Sequence, residues 1–220
     1  MKTIAKIYTD FPEKFGIPRQ SGLVDLPGRI VFEKEYRNPE GVKGIEGFTH
    51  LWLLWHFDVP ETDGFNATVR PPRLGGNETM GVFATRSPFR PNPIGLSSVR
   101  LERVEFTEEG PVLHVSGADL RNGTEIYDIK PYLPYADSHP DAACGFTGGT
   151  EDEPLEVSFA VEIPAELKQK ESTLTKVLSL DPRPHYQDDP DRIYGMAYAG
   201  YNVKFKVNGR LLSVVGIQRL

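Results

Sequence analysis

Apolar and polar positions alternate in short runs along much of this chain, and the alternation predicts strands. Leu155, Val157, Phe159, Val161 and Ile163 fall on every second position, which puts one face of a strand in a core. Val203, Phe205 and Val207 do the same. They run into Asn208-Gly209, a strong hairpin signal, with Leu211 to Ile217 as the returning strand. Val99, Leu101 and Val104 open another strand, and Val112 to Val115, behind a Glu-Glu-Gly-Pro turn, supply its neighbour. Phe48 to Phe57 is almost continuously apolar and reads as a central strand buried on both faces. Helical spacing occurs once: after Pro164, Leu167, Leu174, Val177 and Leu178 predict a helix over 165–178, stopped by Asp181-Pro182-Arg183-Pro184.

One helix among so many strands excludes the alternating layers of a doubly wound nucleotide fold. The pattern predicts a mainly β protein: an antiparallel sheet or closed barrel, then a smaller α+β unit. The break falls between His139 and Pro154, where Gly145, Gly148, Gly149 and an acidic run interrupt the alternation.

Composition narrows the classes. With 39% hydrophobic and 25% charged residues, the chain is too apolar for disorder. Its longest apolar run, Leu51 to Trp55, falls far short of a membrane span, and Met1 to Lys6 has no signal-peptide character, so a cytoplasmic protein is expected. The lone Cys144 excludes a disulfide framework and a cysteine-based zinc site within one chain. The five histidines lack ligand-like spacing, and no metal is expected. Three N-x-[ST] matches, at Asn66, Asn77 and Asn122, carry no weight without a secretory signal.

A net charge of −6 argues against non-specific coating of nucleic acid. Locally the balance reverses. Between Asn66 and Val104 the cations are Arg70, Arg73, Arg86, Arg90, Arg100 and Arg103, against only Glu78 and Glu102. All are arginines, suited to bidentate phosphate or carboxylate contacts and to stacking on bases.

The densest stretch is GVFATRSPFRPNPIGLSSVRL, residues 81–101. Pro88, Pro91 and Pro93 suppress regular hydrogen bonding and fix an extended loop that displays Arg86, Ser87, Arg90 and Asn92. A stiff loop loses little entropy on binding, so it suits a polar ligand; it equally suits a structural connection. No dinucleotide fingerprint, phosphate-binding loop, H-E-x-x-H or G-x-S-x-G accompanies it.

This stretch closely resembles the signature of the TsaA-like family, whose bacterial members methylate threonylcarbamoyladenosine in tRNA. FGIPRQSGL at 15–23, VRPPRLGG at 69–76 and NGTEIYDIKPYLPYADS at 122–138 resemble it too, and LDPRPHYQ at 180–187 is similar to the C-terminal extension of longer members. The resemblance implies a β-barrel domain over residues 1–140 that binds S-adenosylmethionine, a linker at 141–154, and a small α+β domain over 155–220. It implies a homodimer with the donor near the subunit interface, and no membrane. By motif position the donor contacts are Pro18, Arg19, Gln20, His56, Phe57, Arg86, Leu96, Gly123, Thr124, Asp128, Lys130 and Pro131. The implied tRNA contacts are Arg70, Arg73, Arg90 and Arg183.

The implied acceptor is the exocyclic N6 amine of an adenine, next to the anticodon, that already bears a threonylcarbamoyl group. Its lone pair is delocalised into ring and urea, so an acceptor for its proton assists attack. Asp128 is the first carboxylate by motif and Asp137 the second, though Asp128 with Lys130 also makes a plausible structural ion pair. Asn92 before Pro93 either holds the amine through its amide oxygen or caps a turn. His56, Tyr132 and Tyr135 are read either as site residues or as core. Two rival functions share these residues: methyl transfer to a small molecule, and non-catalytic sensing of S-adenosylmethionine.

Overall fold

The computed structural model describes residues 1–59, 64–75, 78–148, 153–184 and 189–220, with Arg73 described in its backbone alone. The Arg73 side chain, the middle of the expected linker and the end of LDPRPHYQ therefore lie outside the described residues.

Among the described residues, eight strands precede the linker: β1 (Ala5–Tyr8), β2 (Pro27–Phe32), β3 (His50–His56), β4 (Thr68–Val69), β5 (Met80–Gly81), β6 (Ile94–Thr107), β7 (Gly110–Ser116) and β8 (Thr124–Pro131). Six of them close a barrel in the order β1-β2-β7-β6-β3-β8, every pairing antiparallel, while β4 and β5 form a separate ribbon. Closure removes the sheet edges that an open antiparallel sheet would expose. The barrel core holds Ala5, Ile7, Ile30, Leu51, Leu53, Trp55, Val99, Leu113, Val115 and Ile126.

The apolar run expected to be buried on both faces is β3, and here the expectation needs correction. Leu51, Leu53 and Trp55 point into the core, but Trp52, Leu54 and His56 on the outer face are only half-buried. A closed barrel has one inside, and on the outside of β3 Tyr132 and Asp137 cover only part of the face, against Trp52.

After the short helix α1 (Pro134–Asp137) comes a second sheet. It comprises β9 (Glu156–Phe159), β10 (Tyr194–Tyr198), β11 (Tyr201–Asn208) and β12 (Leu211–Arg219), ordered β10-β11-β12-β9. β9 is shorter than its alternation suggests, because it pairs with β12 only from Glu156 to Phe159. The hairpin forms, with Asn208 paired to Leu211; Gly209 and Arg210 make the loop, one residue later than Asn208-Gly209 implies. The expected single helix is two, α2 (Ala165–Lys168) and α3 (Glu171–Ser179). The break lies where the Lys170 amide turns back to Leu167 O at 2.9 Å and the Lys170 ammonium pairs with Asp10. No helix among the described residues is long and apolar enough to cross a membrane.

The second core is not built from the second half alone. Phe11, Val24 and Leu26, from the β1–β2 connection, are buried in it with Leu174, Tyr198, Phe205 and Val214, and Phe15 and Ile17 pack against it. Phe11 lies 5.1 Å from the Tyr198 ring and Phe15 stacks 6.4 Å from Phe205. We call residues 15–22 the strap.

At Gly16 the backbone takes φ +92°, and an added Cβ would stand 2.1 Å from the sulfur of buried Met196. Gly16→Ala is therefore expected to lower stability by about 1–3 kcal/mol in urea unfolding, through positive-φ strain and overpacking together. An unchanged midpoint would show that strap and second core adjust freely.

Candidate functional site

The strap, the proline-rich loop and β6 meet at one place. Residues 94–99 of β6 pair with β3 on one side, but β7 joins the other side only from Arg100. The strap meets this edge at one point and β7's end at another: Ser98 N donates to Ser21 Oγ at 3.2 Å, and Gly22 N donates to Gly117 O, just past β7, at 2.9 Å.

Beneath this closure lies a polar chain. Trp55 Nε1 donates to Ser97 Oγ at 2.9 Å, and Ser97 Oγ donates to Asp119 Oδ1 at 2.6 Å. Gly95 permits it, since a Cβ there would fall 2.2 Å from the Trp55 ring. Burial pushes the Asp119 carboxyl above its usual range; Ser97, the Asp119 and Ser21 amides and the Arg86 guanidinium pull the other way without cancelling it. Arg86 reaches in from the loop and hydrogen-bonds the Gln20 side-chain oxygen. Of the residues singled out by sequence, Gln20 and Arg86 are thus brought together, with buried Pro18 just before them in the strap. Arg19 donates to Arg183 O at 3.4 Å, and Arg183 pairs with Asp181 at 2.8 Å.

The loop is stiff, as its prolines suggest, but hydrogen bonds do much of the stiffening. Arg90 donates to Thr85 O and Ser87 O at 2.9 and 3.1 Å and lies over the Phe83 ring. Asn92 O accepts from Ile94 N at 2.8 Å, and Pro93 O accepts from Phe57 N at 2.8 Å. The exposed Asn92 amide makes no hydrogen bond among the described residues. Arg70, after β4, is exposed.

A second group sits on the outer face of β3, β6 and β8. Leu54 is flanked by Leu96 on one side and Asp128 on the other. Leu96 is 57% exposed. Asp128 pairs with Lys130 at 2.8 Å and accepts from Ile129 N at 2.9 Å; Pro131 ends the strand. His56 Nδ1 lies 2.8 Å from the Tyr127 hydroxyl. Asp137 accepts from Trp52 Nε1 at 2.9 Å and from Leu133 N at 2.8 Å, and these bonds hold its carboxyl below the usual range. Tyr132 leans on Trp52 at 5.4 Å, and Tyr135 is 87% exposed.

Gly123 and Thr124 belong to a third place. Gly123, at φ +80°, and Thr124, whose hydroxyl donates to Arg121 O at 2.8 Å, shape the turn that opens β8. There Arg121 also pairs with Asp58 at 2.7 Å. No hydrogen bond or ion pair among the described residues joins this turn to Arg86 or Gln20.

Sequence reasoning missed Asp119, Ser97, Trp55 and Ser21. A carboxylate set between Ala118 and Leu120, just past a strand and a glycine, was the available signal.

Two family models match the chain: the tRNA-methyltransferase O N-terminal domain over residues 6–138 and the TrmO C-terminal domain over residues 152–220. The tRNA (adenine(37)-N6)-methyltransferase of Escherichia coli K12 is 39% identical, covering 98% of this chain and 96% of its own. A Pseudomonas aeruginosa relative, RcsF, named for S-adenosylmethionine-dependent methyl transfer, is 42% identical over 88% of this chain and 86% of its own. The crystal structure of TrmO from P. aeruginosa superposes with a TM-score of 0.78 at 32% identity, covering 99% of this chain and 95% of that one.

Because Asp119 keeps its proton to higher pH when folded than when unfolded, the native state binds more protons above the ordinary value of 3.8. Stability must then fall as pH rises through that window, up to the folded-state value. Asp119→Asn lacks this titration. The difference in unfolding free energy between wild type and variant is expected to move in the variant's favour from pH 4 upward; a flat difference would show an ordinary carboxyl.

Proposed function

This chain belongs to the tRNA-methyltransferase O family, and from that membership we propose that it transfers a methyl group from S-adenosylmethionine to N6 of the adenine at tRNA position 37. The observation that carries the reading is the match to both family models together with 39% identity to the E. coli enzyme across nearly the full length of both chains. An RNA substrate of this kind places the work in the cytoplasm.

The residues present suit the donor. It carries a carboxylate and hydroxyls, for which the exposed Arg86 guanidinium and the Gln20 amide beside it are matched partners. It also carries an apolar base edge, for which the exposed Leu96 and half-buried Leu54 offer surface. When bound, it supplies an already activated methyl on a sulfonium. The protein's share is then orientation of donor and acceptor in line, plus relief of the proton lost from N6.

We assign donor binding to the strap residues Pro18, Arg19 and Gln20, to Arg86 and Leu96, and to His56, Phe57, Asp128, Lys130 and Pro131 around the outer face. Gly123 and Thr124 join this set in a homodimer, where a second copy can bring the β8 turn to the first copy's loop. Exposed Phe83, Phe89, Leu96 and Tyr135 support such an assembly. The acceptor adenine bears the threonylcarbamoyl group, whose carboxylate gives the arginine-rich region a target despite the net charge of −6. Arg70, Arg73, Arg90 and Arg183 contact the tRNA backbone.

For the hydrogen bond from N6–H, Asn92 is favoured over Asp128; the amide oxygen holds the amine, and the proton released after methyl transfer passes to water. The Asn92 amide is exposed and unbonded among the described residues, whereas Asp128 is held by Lys130 and Ile129 N. A threonylcarbamoylated adenine has one N–H left, and one acceptor suffices.

Nucleoside mass analysis after incubating the protein with donor and threonylcarbamoylated tRNA tests the reading. A methylated product from modified but not from unmodified tRNA is expected; no product from either overturns the activity and leaves the small-molecule and sensing alternatives. At matched folded fraction, Arg86→Ala should lose donor affinity far beyond any loss of stability, which denaturation measured in parallel will separate. Asn92→Ala should lower the single-turnover rate by about one to two orders of magnitude with donor affinity nearly intact. If affinity collapses along with the rate, Asn92 belongs to the donor site instead.

A further inference from the structure

Two phenylalanines stand side by side in solvent where the β4–β5 ribbon runs into the proline-rich loop. Phe65 is 57% exposed and Phe83 71% exposed, and neither belongs to the barrel core or the second core. Their ring centroids lie 5.8 Å apart with 23° between the planes. Large apolar side chains gathered in water gain little for the fold, so their placement points to a partner.

The backbone holds them there. The ribbon pairs Thr68 with Gly81 and Val69 with Met80, and Val82 N donates to Ala67 O at 2.9 Å, so both phenylalanines leave it at the same end. Asn66 Oδ1 accepts from Thr68 N at 3.2 Å on one strand. On the other, Val82 is buried, and its carbonyl accepts from Thr85 N at 3.2 Å and from the Thr85 hydroxyl at 2.9 Å. The Arg90 guanidinium, fixed by Thr85 O and Ser87 O, lies 5.9 Å from the Phe83 ring centre. Arg86 follows Phe83 by three positions, and Arg70 follows β4.

We propose that Phe65 and Phe83 form a stacking platform for a base of the single-stranded anticodon loop, one that flanks the acceptor adenine. The inference rests on the tRNA part of the proposed function. N6 must meet the donor methyl in line, and an adenine stacked between its neighbours cannot present it; extruding the adenine leaves a neighbour with a bare face. An aromatic ring covers such a face whatever the base, and guanidinium groups around the ring attract the adjoining phosphates. The rings and arginines gathered here match an RNA strand in both respects. Phe89, Leu96 and Tyr135 remain for the cover of a second copy.

The test reads tRNA affinity by filter binding without donor. Phe83→Leu keeps an apolar side chain but removes the ring, and should weaken binding about fivefold or more, while Phe83→Tyr should keep most of the affinity. Donor affinity by calorimetry and oligomeric state by sedimentation should match wild type. The deciding measurement pairs Phe83→Leu with tRNAs that lack the base on one side or the other of the acceptor adenine. If Phe83 stacks on that base, the two changes together exceed the larger single loss by less than about twofold for one of these tRNAs. Multiplying losses with both tRNAs overturn the proposal. So does a Phe83→Leu variant that binds tRNA like wild type, or one that loses the wild-type assembly, which would seat a second copy on the pair. Should Phe83→Leu fail to fold, Phe65→Leu replaces it in the same cycle with the same outcomes. Wild type that methylates tRNA while the variants show none of these effects overturns the platform alone; wild type that binds no tRNA overturns the tRNA reading and the platform with it.

Discussion

The free edge of β6 is the constraint on which the site depends. A closed barrel needs each strand paired on both sides, but β7 reaches β6 only from Arg100 onward. The preceding residues, 94–99, would expose backbone donors and acceptors at the mouth of an apolar core, which is costly. The strap meets part of this need: Ser21 serves Ser98, while Gly22 ties the strap to Gly117 past the end of β7, and Ser97 turns inward between Trp55 and Asp119. What satisfies the edge also delivers Gln20 and Arg86 to one spot. Structural closure and candidate site are here the same set of contacts.

Much of the fold was legible, for identifiable reasons. The β11–β12 hairpin and the β6–β7 pair announce themselves because one face of each strand is buried and the other is wet, so alternation survives in the sequence. The outer face of β3 misled for the opposite reason. Trp52 and Leu54 are apolar yet only half-buried, and a run of letters cannot distinguish a fully covered face from one covered in part. The break between α2 and α3 was invisible because Leu167 and Leu174 keep helical spacing across it, while the cause lies at Asp10, far away in sequence.

The site was legible in pieces. Prolines and arginines concentrated in one stretch marked the loop, and its residues do stand out from the barrel. Asp119 was not legible, because what sets it apart is a neighbour: one carboxylate among thirty-one acidic residues, distinguished by accepting from a serine twenty-two positions earlier. Gly123 and Thr124 show the reverse case, conspicuous in sequence but occupied within this chain by a turn.

The second sheet then acquires a purpose beyond its own stability. Phe11, Val24 and Leu26 bracket the strap and are buried in the second core, and Phe15 stacks on Phe205. Both ends of the strap are thus anchored in one hydrophobic body, while its middle, Gln20 and Ser21, is held to the barrel by polar contacts. Apolar burial over that many residues outweighs a few partly exposed hydrogen bonds. The hierarchy follows: the second core sets where the strap runs, and the contacts of Ser21 with Ser98 and of Gln20 with Arg86 set its final register against β6 and the loop. A barrel without the second sheet would keep its strands but lose the anchorage that makes the strap a fixed wall.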